Sequence, residues 1–139
     1  MPESLPVTYQ SPIHPVVGLY LTEVYPVTSE IKHAKSNLNR WMRPQSVDTP
    51  LAMMGSSSYI HYESKGVVLI ISPWNFPLNL TFGPLVSAIA AGNTVIIKPS
   101  EHTPHISALM KKILSELFNE MEMAWVEGGV EPFPVLWNL

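Results

Sequence analysis

The sequence contains no cysteine among its 139 residues. This absence excludes a disulfide framework, thiolate-bound zinc and iron–sulfur sites, and any reaction in which a cysteine of this chain is the nucleophile. Charged residues are also scarce, at 14%, against about 25% in an average soluble protein. Eight Lys and Arg against 11 Asp and Glu give a net charge of −3, so no basic field indicates nucleic acid as a partner.

Charge is missing altogether from Gly66 to Ile97, a run of 32 residues that raises the question of a membrane span. Prolines, asparagines and a glycine interrupt this run, and no apolar stretch of about 18 residues survives between them. The run therefore predicts two buried elements rather than a transmembrane helix. The N-terminal residues lack the basic and apolar regions of a signal peptide, so we expect a cytoplasmic location.

The first half of the chain predicts one helix and one strand. Residues 28–42 carry apolar side chains at steps of three and four, which predicts a helix that ends before Pro44. Pro26 predicts that any helix over residues 19–25 is kinked or separate. Residues 56–63 mix tyrosine and isoleucine with polar residues, which is typical of a half-exposed strand.

An alternation of strands and helices follows. The apolar run Val67–Ile71 does not alternate with polar residues, which predicts a strand buried on both faces of a parallel sheet. The later elements are predicted as a helix over 77–91, a strand over 94–97, a helix from Pro104 and a strand over 123–126. This βαβαβ order predicts an α/β fold with a partial doubly wound parallel sheet, which is half of a dinucleotide-binding fold.

Two polar segments stand where ligands bind in such sheets, beyond the carboxyl ends of strands. They are Ser72–Pro77 after the first strand of the unit and Lys98–Glu101 after the second. Neither a G-x-G-x-x-G nor a P-loop pattern occurs in the chain. Without further context these residues have ordinary explanations: a turn residue at Asn75, a packing residue at Trp74, and solvated charges at Lys98 and Glu101.

Three short motifs together are highly specific. PWNFP at 73–77, AAGN at 90–93 and KPSE-x-TP at 98–104, at these spacings, resemble the aldehyde dehydrogenase superfamily. Residues 20–42 are similar to the branch that acts on fatty and aromatic aldehydes. Members of the superfamily are much longer, so the chain resembles an N-terminal part of one.

The resemblance implies an NAD(P)-dependent oxidation of aldehydes to carboxylic acids, with roles for five residues. Asn75 matches the asparagine whose amide donates to the oxyanion of the tetrahedral adduct. Lys98 and Glu101 match residues that hold the adenosine ribose. The carboxylate of Glu101 would repel a 2′-phosphate, which slightly favours NAD over NADP. Ser72 and Trp74 lie on the turn that lines the cofactor cleft in the family.

The chain departs from the family in its nucleophile and its general base. The family reaction needs a cysteine thiolate to attack the aldehyde and a glutamate to activate water, and the chain contains neither a cysteine nor the general-base segment. We therefore expect this chain alone to be inactive. The alternative is a non-catalytic interaction protein that pairs with a full-length relative through the strand at 56–63 or through the helices. Binding of NAD would discriminate the two.

These patterns divide the chain into four segments. Residues 1–18 are expected to be an irregular Pro-rich N-terminus, and residues 19–65 to hold a helix and an edge strand that precede the sheet. Residues 66–131 correspond to the partial, Rossmann-like NAD(P)-binding domain, and residues 132–139 are a tail that does not match the family. The five histidines lack the spacing of metal ligands, so no metal site is predicted.

Overall fold

Helices cover one face of a three-stranded parallel sheet in the computed structural model, which describes residues 15–129. The helices are α1 (Pro15–Leu19), α2 (Tyr25–Trp41), α3 (Pro77–Ala90) and α4 (Pro104–Leu117). The strands are β1 (Gln45–Val47), β2 (Ser58–Ile60), β3 (Val67–Ile71), β4 (Thr94–Lys98) and β5 (Met123–Trp125). A short 3₁₀ turn at Leu51–Met53 lies between β1 and β2. The expectation of an α/β fold with a parallel βαβαβ unit is confirmed.

The N-terminal helix is longer than the sequence predicts. Between α1 and α2 lies a π-helical turn, Tyr20–Val24, in which the N–H of Tyr25 bonds to the carbonyl of Tyr20. Pro26 falls in the first turn of α2, so the expected interruption takes the form of a π-helical turn rather than a break. The prediction of an irregular segment through residue 18 is wrong at its end, because Pro15–Leu19 is helical. Residues 1–14 and the predicted tail at 132–139 lie outside the described residues.

The strand predicted at 56–63 is shorter in the structure and pairs outside the parallel sheet. β2 pairs antiparallel with β1, with Tyr59 opposite Ser46, in a two-stranded ribbon. No sequence pattern predicts β1, and β2 is not the edge strand of the parallel sheet. Gly66 lies between the two sheets with a φ of +99°, a conformation that favours glycine. β2 has already ended at Ile60, and residues 61–65 lead to this turn without forming a helix or strand.

The core lies between the parallel sheet and two helices. The strands run in the order β3–β4–β5, with Val67 beside Thr94 and Val95 beside Met123. Side chains of a strand alternate between the two faces of a sheet, and the buried core draws on one face only. Its members are Ile70, Val95, Ile97 and Met123 from the strands, Leu85 and Ala88 from α3, and Leu114 from α4. Both crossover helices therefore pack on the same side of the sheet.

The opposite face of the sheet is largely open within residues 15–129. Val67 and Ile71 on this face are 60% and 50% exposed, whereas Ile70 on the covered face is 6% exposed. The prediction that β3 is buried on both faces is therefore wrong for this chain. The reason is topological, because two successive right-handed crossovers between neighbouring strands bring both helices to one side.

The open face predicts self-association. Parallel sheets occur with both faces covered, so we expect the isolated chain to be oligomeric, aggregated or partly folded. Sedimentation velocity and thermal unfolding measure this. Val67→Lys, which places a charge on the open face, should shift the chain towards monomer. Leu109→Lys is the matched control at a position of α4 that is 51% exposed. A monomeric wild-type chain with a cooperative thermal transition contradicts the expectation.

Candidate functional site

The two loops predicted to form a site meet at the carboxyl edge of the sheet. The backbone N–H of Ser72, directly after β3, donates to the carbonyl of Lys98 at the end of β4, with 2.9 Å between nitrogen and oxygen. Ser72 and Lys98 are 4% and 3% exposed. The parallel register thus joins the starts of both loops.

The first loop turns sharply into α3. Phe76 has a φ of +50° and is the only non-glycine residue with positive φ in the described part of the chain. Pro77 follows as the first residue of α3. Trp74 is 63% exposed, and Asn75 is exposed. Within residues 15–129 the Asn75 amide makes no hydrogen bond, so its N–H groups are available to a ligand.

Ser72 has a structural contact of its own. Its hydroxyl lies 2.8 Å from the hydroxyl of Thr81, which also bonds to the carbonyl of Pro77. Thr81 is fully buried. The Ser72 side chain therefore ties the end of β3 to α3 at Thr81 and does not face outwards, whereas Trp74 and Asn75 are exposed.

The second loop presents a cation and a carboxylate. The ammonium Nζ of Lys98 lies 3.4 Å from Oε2 of Glu101 and 3.3 Å from the carbonyl of Pro99. The Lys98 side chain is 4% exposed and the Glu101 side chain 49%. Ser100 shapes the turn, because its hydroxyl accepts the backbone N–H of His102. A buried ammonium thus faces a half-exposed carboxylate at the mouth of the site.

The carboxyl of Glu101 is held in its ionised form. A hydrogen bond from its own backbone N–H is the largest cause that places its pKa below the ordinary value, and burial opposes it. The Lys98 ammonium lowers the pKa further, both by charge and by hydrogen bonding. A lowered pKa keeps the carboxylate charged at neutral pH, and the charge is lost only as pH falls through the lowered value.

No sequence pattern predicts Glu23 as a residue that supports the start of α3, next to the first loop. Glu23, in the π-helical turn, is 5% exposed, and its Oε2 accepts the backbone N–H of Asn79 at 2.9 Å. The sequence carries one signal, since Glu23 is the single Asp, Glu, Lys or Arg among residues 4–29, and acids are rarely buried without a partner.

Residues 15–129 contain neither a metal cluster nor a membrane-spanning helix. This part of the chain has no cluster of three or more His, Asp or Glu side chains that could hold a metal ion. It also has no helix with the length and apolar character needed to cross a bilayer.

Comparison with known sequences identifies the relatives. The sequence model of the aldehyde dehydrogenase family matches residues 18–124. The 4,4'-diaponeurosporen-aldehyde dehydrogenase of Staphylococcus aureus is 44% identical over 123 residues, which are 88% of this chain and 27% of that protein. A probable coniferyl aldehyde dehydrogenase of Caulobacter vibrioides is 46% identical over 114 residues, which are 80% of this chain and 24% of that protein.

Solved structures agree with the sequence matches. The substrate-bound state of Staphylococcus aureus AldH has a TM-score of 0.83 and 44% identity, covering 86% of this chain and 26% of that one. The NADP-dependent glyceraldehyde-3-phosphate dehydrogenase of Bacillus halodurans, complexed with NADP, has a TM-score of 0.67 and 26% identity, covering 84% and 25%. The chain thus spans about a quarter of the length of these relatives. Since the family match runs through both strand-end loops and most of the described fold, the chain belongs to the aldehyde dehydrogenase family.

Proposed function

We propose that this chain supplies the N-terminal part of the active site of an NAD(P)-dependent aldehyde dehydrogenase. The observation that carries the proposal is the hydrogen bond between Ser72 and Lys98, because it sets the two loops side by side in a member of the family. The activity of the complete site would be the oxidation of an aldehyde to a carboxylic acid. Fatty or aromatic aldehydes are the proposed substrates, and the name of one relative specifies coniferyl aldehyde, which is aromatic.

The second loop has the donor set that a ribose needs. An ammonium donates hydrogen bonds to hydroxyl oxygens, and a carboxylate accepts them from hydroxyl groups. With 3.4 Å between Lys98 Nζ and Glu101 Oε2, the pair can serve two neighbouring hydroxyls at once. The charge of Glu101 opposes a 2′-phosphate, so the proposal favours NAD slightly over NADP. The bound cofactor would supply the hydride acceptor.

The first loop offers a donor to a developing oxyanion. The Asn75 amide is exposed, and its two N–H groups can point at an oxygen that gains charge only after nucleophilic attack. A donor of this kind is worth about 10²–10³ in kcat. It stabilises a transition state that a nucleophile must first create, and this chain has no cysteine to create it. Asn75 is therefore proposed as one catalytic residue of an incomplete site.

Saturation-transfer NMR with NAD tests the proposed cofactor contacts. We expect transfer from the chain to the adenosine protons and none to the nicotinamide protons, because Lys98 and Glu101 are proposed to hold only the adenosine ribose. NADP should give weaker transfer at the same concentration, since Glu101 repels its 2′-phosphate. Equal transfer to both ends of NAD, or none to either, would overturn the proposed half-site.

A second candidate function is that of a non-catalytic partner of a full-length relative. Two observations favour it: the open sheet face, and the position of β2 and β3, each of which has a strand neighbour on one side only among the described residues. Exposed edges of this kind pair readily with other chains. This function is favoured if the wild-type chain does not bind NAD but co-purifies with a longer family member. The Lys98→Ala variant should then co-purify with that family member as well.

A further inference from the structure

The start of α3 lacks partners within the helix itself. Pro77 has no N–H, and the N-cap residue Phe76 provides no side-chain cap. The first bond of the helix runs from the N–H of Leu80 to the carbonyl of Phe76, at 3.0 Å. The N–H groups of Leu78 and Asn79 are therefore left without acceptors inside α3. An acceptor from another element is needed to hold this turn.

That acceptor is Glu23, 56 residues earlier in the chain. Its Oε2 lies 2.9 Å from the backbone nitrogen of Asn79. The helix dipole places partial positive charge at a helix N-terminus, so a carboxylate there is stabilised. Glu23 is only 5% exposed, and within residues 15–129 it forms no ion pair. Since an unsatisfied buried carboxylate is costly, the hydrogen bond from the start of α3 offsets the cost of burying Glu23.

A second bond joins the same two elements. In a continuous α-helix the carbonyl of Thr22 would accept the N–H of residue 26, but Pro26 has none. The side-chain amide nitrogen of Asn79 instead donates to the Thr22 carbonyl, at 3.2 Å. The π-helical turn therefore holds Asn79 twice, through its backbone N–H at Glu23 and through its side chain at Thr22.

We infer that Glu23 is a positioning residue for Asn75. The link between them runs along the backbone at the start of α3. Glu23 fixes Asn79, and the first turn of α3 fixes Phe76 in its left-handed conformation. Phe76 in turn determines how the backbone places Asn75. Because Asn75 makes no hydrogen bond of its own within the described residues, its side chain is placed through the backbone turn that carries it. The role inferred for Glu23 therefore adds to the function proposed above for Asn75 and depends on that function.

Hydrogen–deuterium exchange on the full chain, without any ligand, tests the inference. The peptide over residues 74–79 carries the amides of the turn. In Glu23→Ala we expect the backbone amide of Asn79, which donates to Glu23 in the wild type, to exchange about tenfold faster, since a hydrogen bond to a charged group is lost. Peptides over β4 and α4 should keep the wild-type rates. Glu23→Gln retains an acceptor oxygen and should restore most of the protection.

The controls separate positioning from general stability. Glu30→Gln changes the same residue type on α2, where no hydrogen bond or ion pair of its side chain is found within residues 15–129, and should leave exchange over 74–79 unchanged. The inference would be overturned if exchange rose by a similar factor over the whole chain in both Glu23→Gln and Glu23→Ala. It would also be overturned if exchange over 74–79 stayed unchanged in Glu23→Ala. If Glu23→Ala does not fold, Glu23→Gln decides: its amide oxygen accepts more weakly than a carboxylate, so Asn79 should lose part of its protection there and none in Glu30→Gln. The readout needs no cofactor, so a failure of NAD binding is recorded separately.

Discussion

The purified chain, free of host enzymes, is expected to form no NADH from NAD and a fatty or aromatic aldehyde. The family reaction begins with attack of a cysteine thiolate on the aldehyde carbon, and this chain has no cysteine. Loss of the nucleophile from a serine protease costs about 10⁶ in kcat, and we expect a comparable loss here. Asn75 and the ribose contacts cannot compensate, because they act on an adduct that does not form.

A spectrophotometric assay at 340 nm, which detects NADH, measures this result. A full-length relative such as the Staphylococcus aureus enzyme, assayed in parallel, shows that the aldehyde and the conditions are suitable. Asn75→Ala is the matched variant of the chain itself. Turnover by the wild type that disappears in Asn75→Ala would show that this chain catalyses the reaction and would refute the expectation. Turnover that is equal in both would identify a contaminating enzyme.

The elements nearest the site follow from local sequence signals. The run Val67–Ile71 predicts β3 with its observed bounds, because five consecutive apolar residues, four of them β-branched, favour a strand. Pro77 and Pro104 both predict a first helical turn, and α3 and α4 begin at those residues. The meeting of the two loops is equally predictable, since neighbouring parallel strands end at one edge of their sheet.

The features that the sequence does not predict depend on partners far along the chain. Glu23 and Asn79 are 56 residues apart, and neither has a local pattern that indicates the other. β1 has three exposed residues and no apolar alternation, so only its pairing with β2 defines it. The exposure of Val67 depends on which side the two crossover helices take, which is a property of the topology rather than of β3. The roles of Asn75, Lys98 and Glu101 come from the family motifs, because residue type alone fits ordinary loop residues equally well.

Lys98→Ala is expected to abolish the binding of adenosine to this chain. The contacts proposed for the ribose are few, so the wild type should bind NAD with a Kd of roughly 1 mM, which corresponds to about −4 kcal/mol. A hydrogen bond that involves a charged group contributes about 1.5–3 kcal/mol. Its loss would move the Kd beyond about 10 mM. The Glu101 carboxylate also loses the cation that lies 3.4 Å away, so the acceptor half of the contact is less well oriented.

Saturation-transfer NMR on the wild type and three variants measures the effect. Lys98→Met removes the charge but keeps most of the buried apolar stem, and it should lose the adenosine signals as Lys98→Ala does. Lys111→Ala is the matched control, because Lys111 forms a second lysine–carboxylate pair, with Glu127 at 3.0 Å, outside the two loops. It should retain the wild-type signals. Adenosine signals of equal strength in the wild type and in Lys98→Ala would mean that Lys98 makes no contact with the cofactor, and the proposed half-site would then lack its charged donor to the ribose.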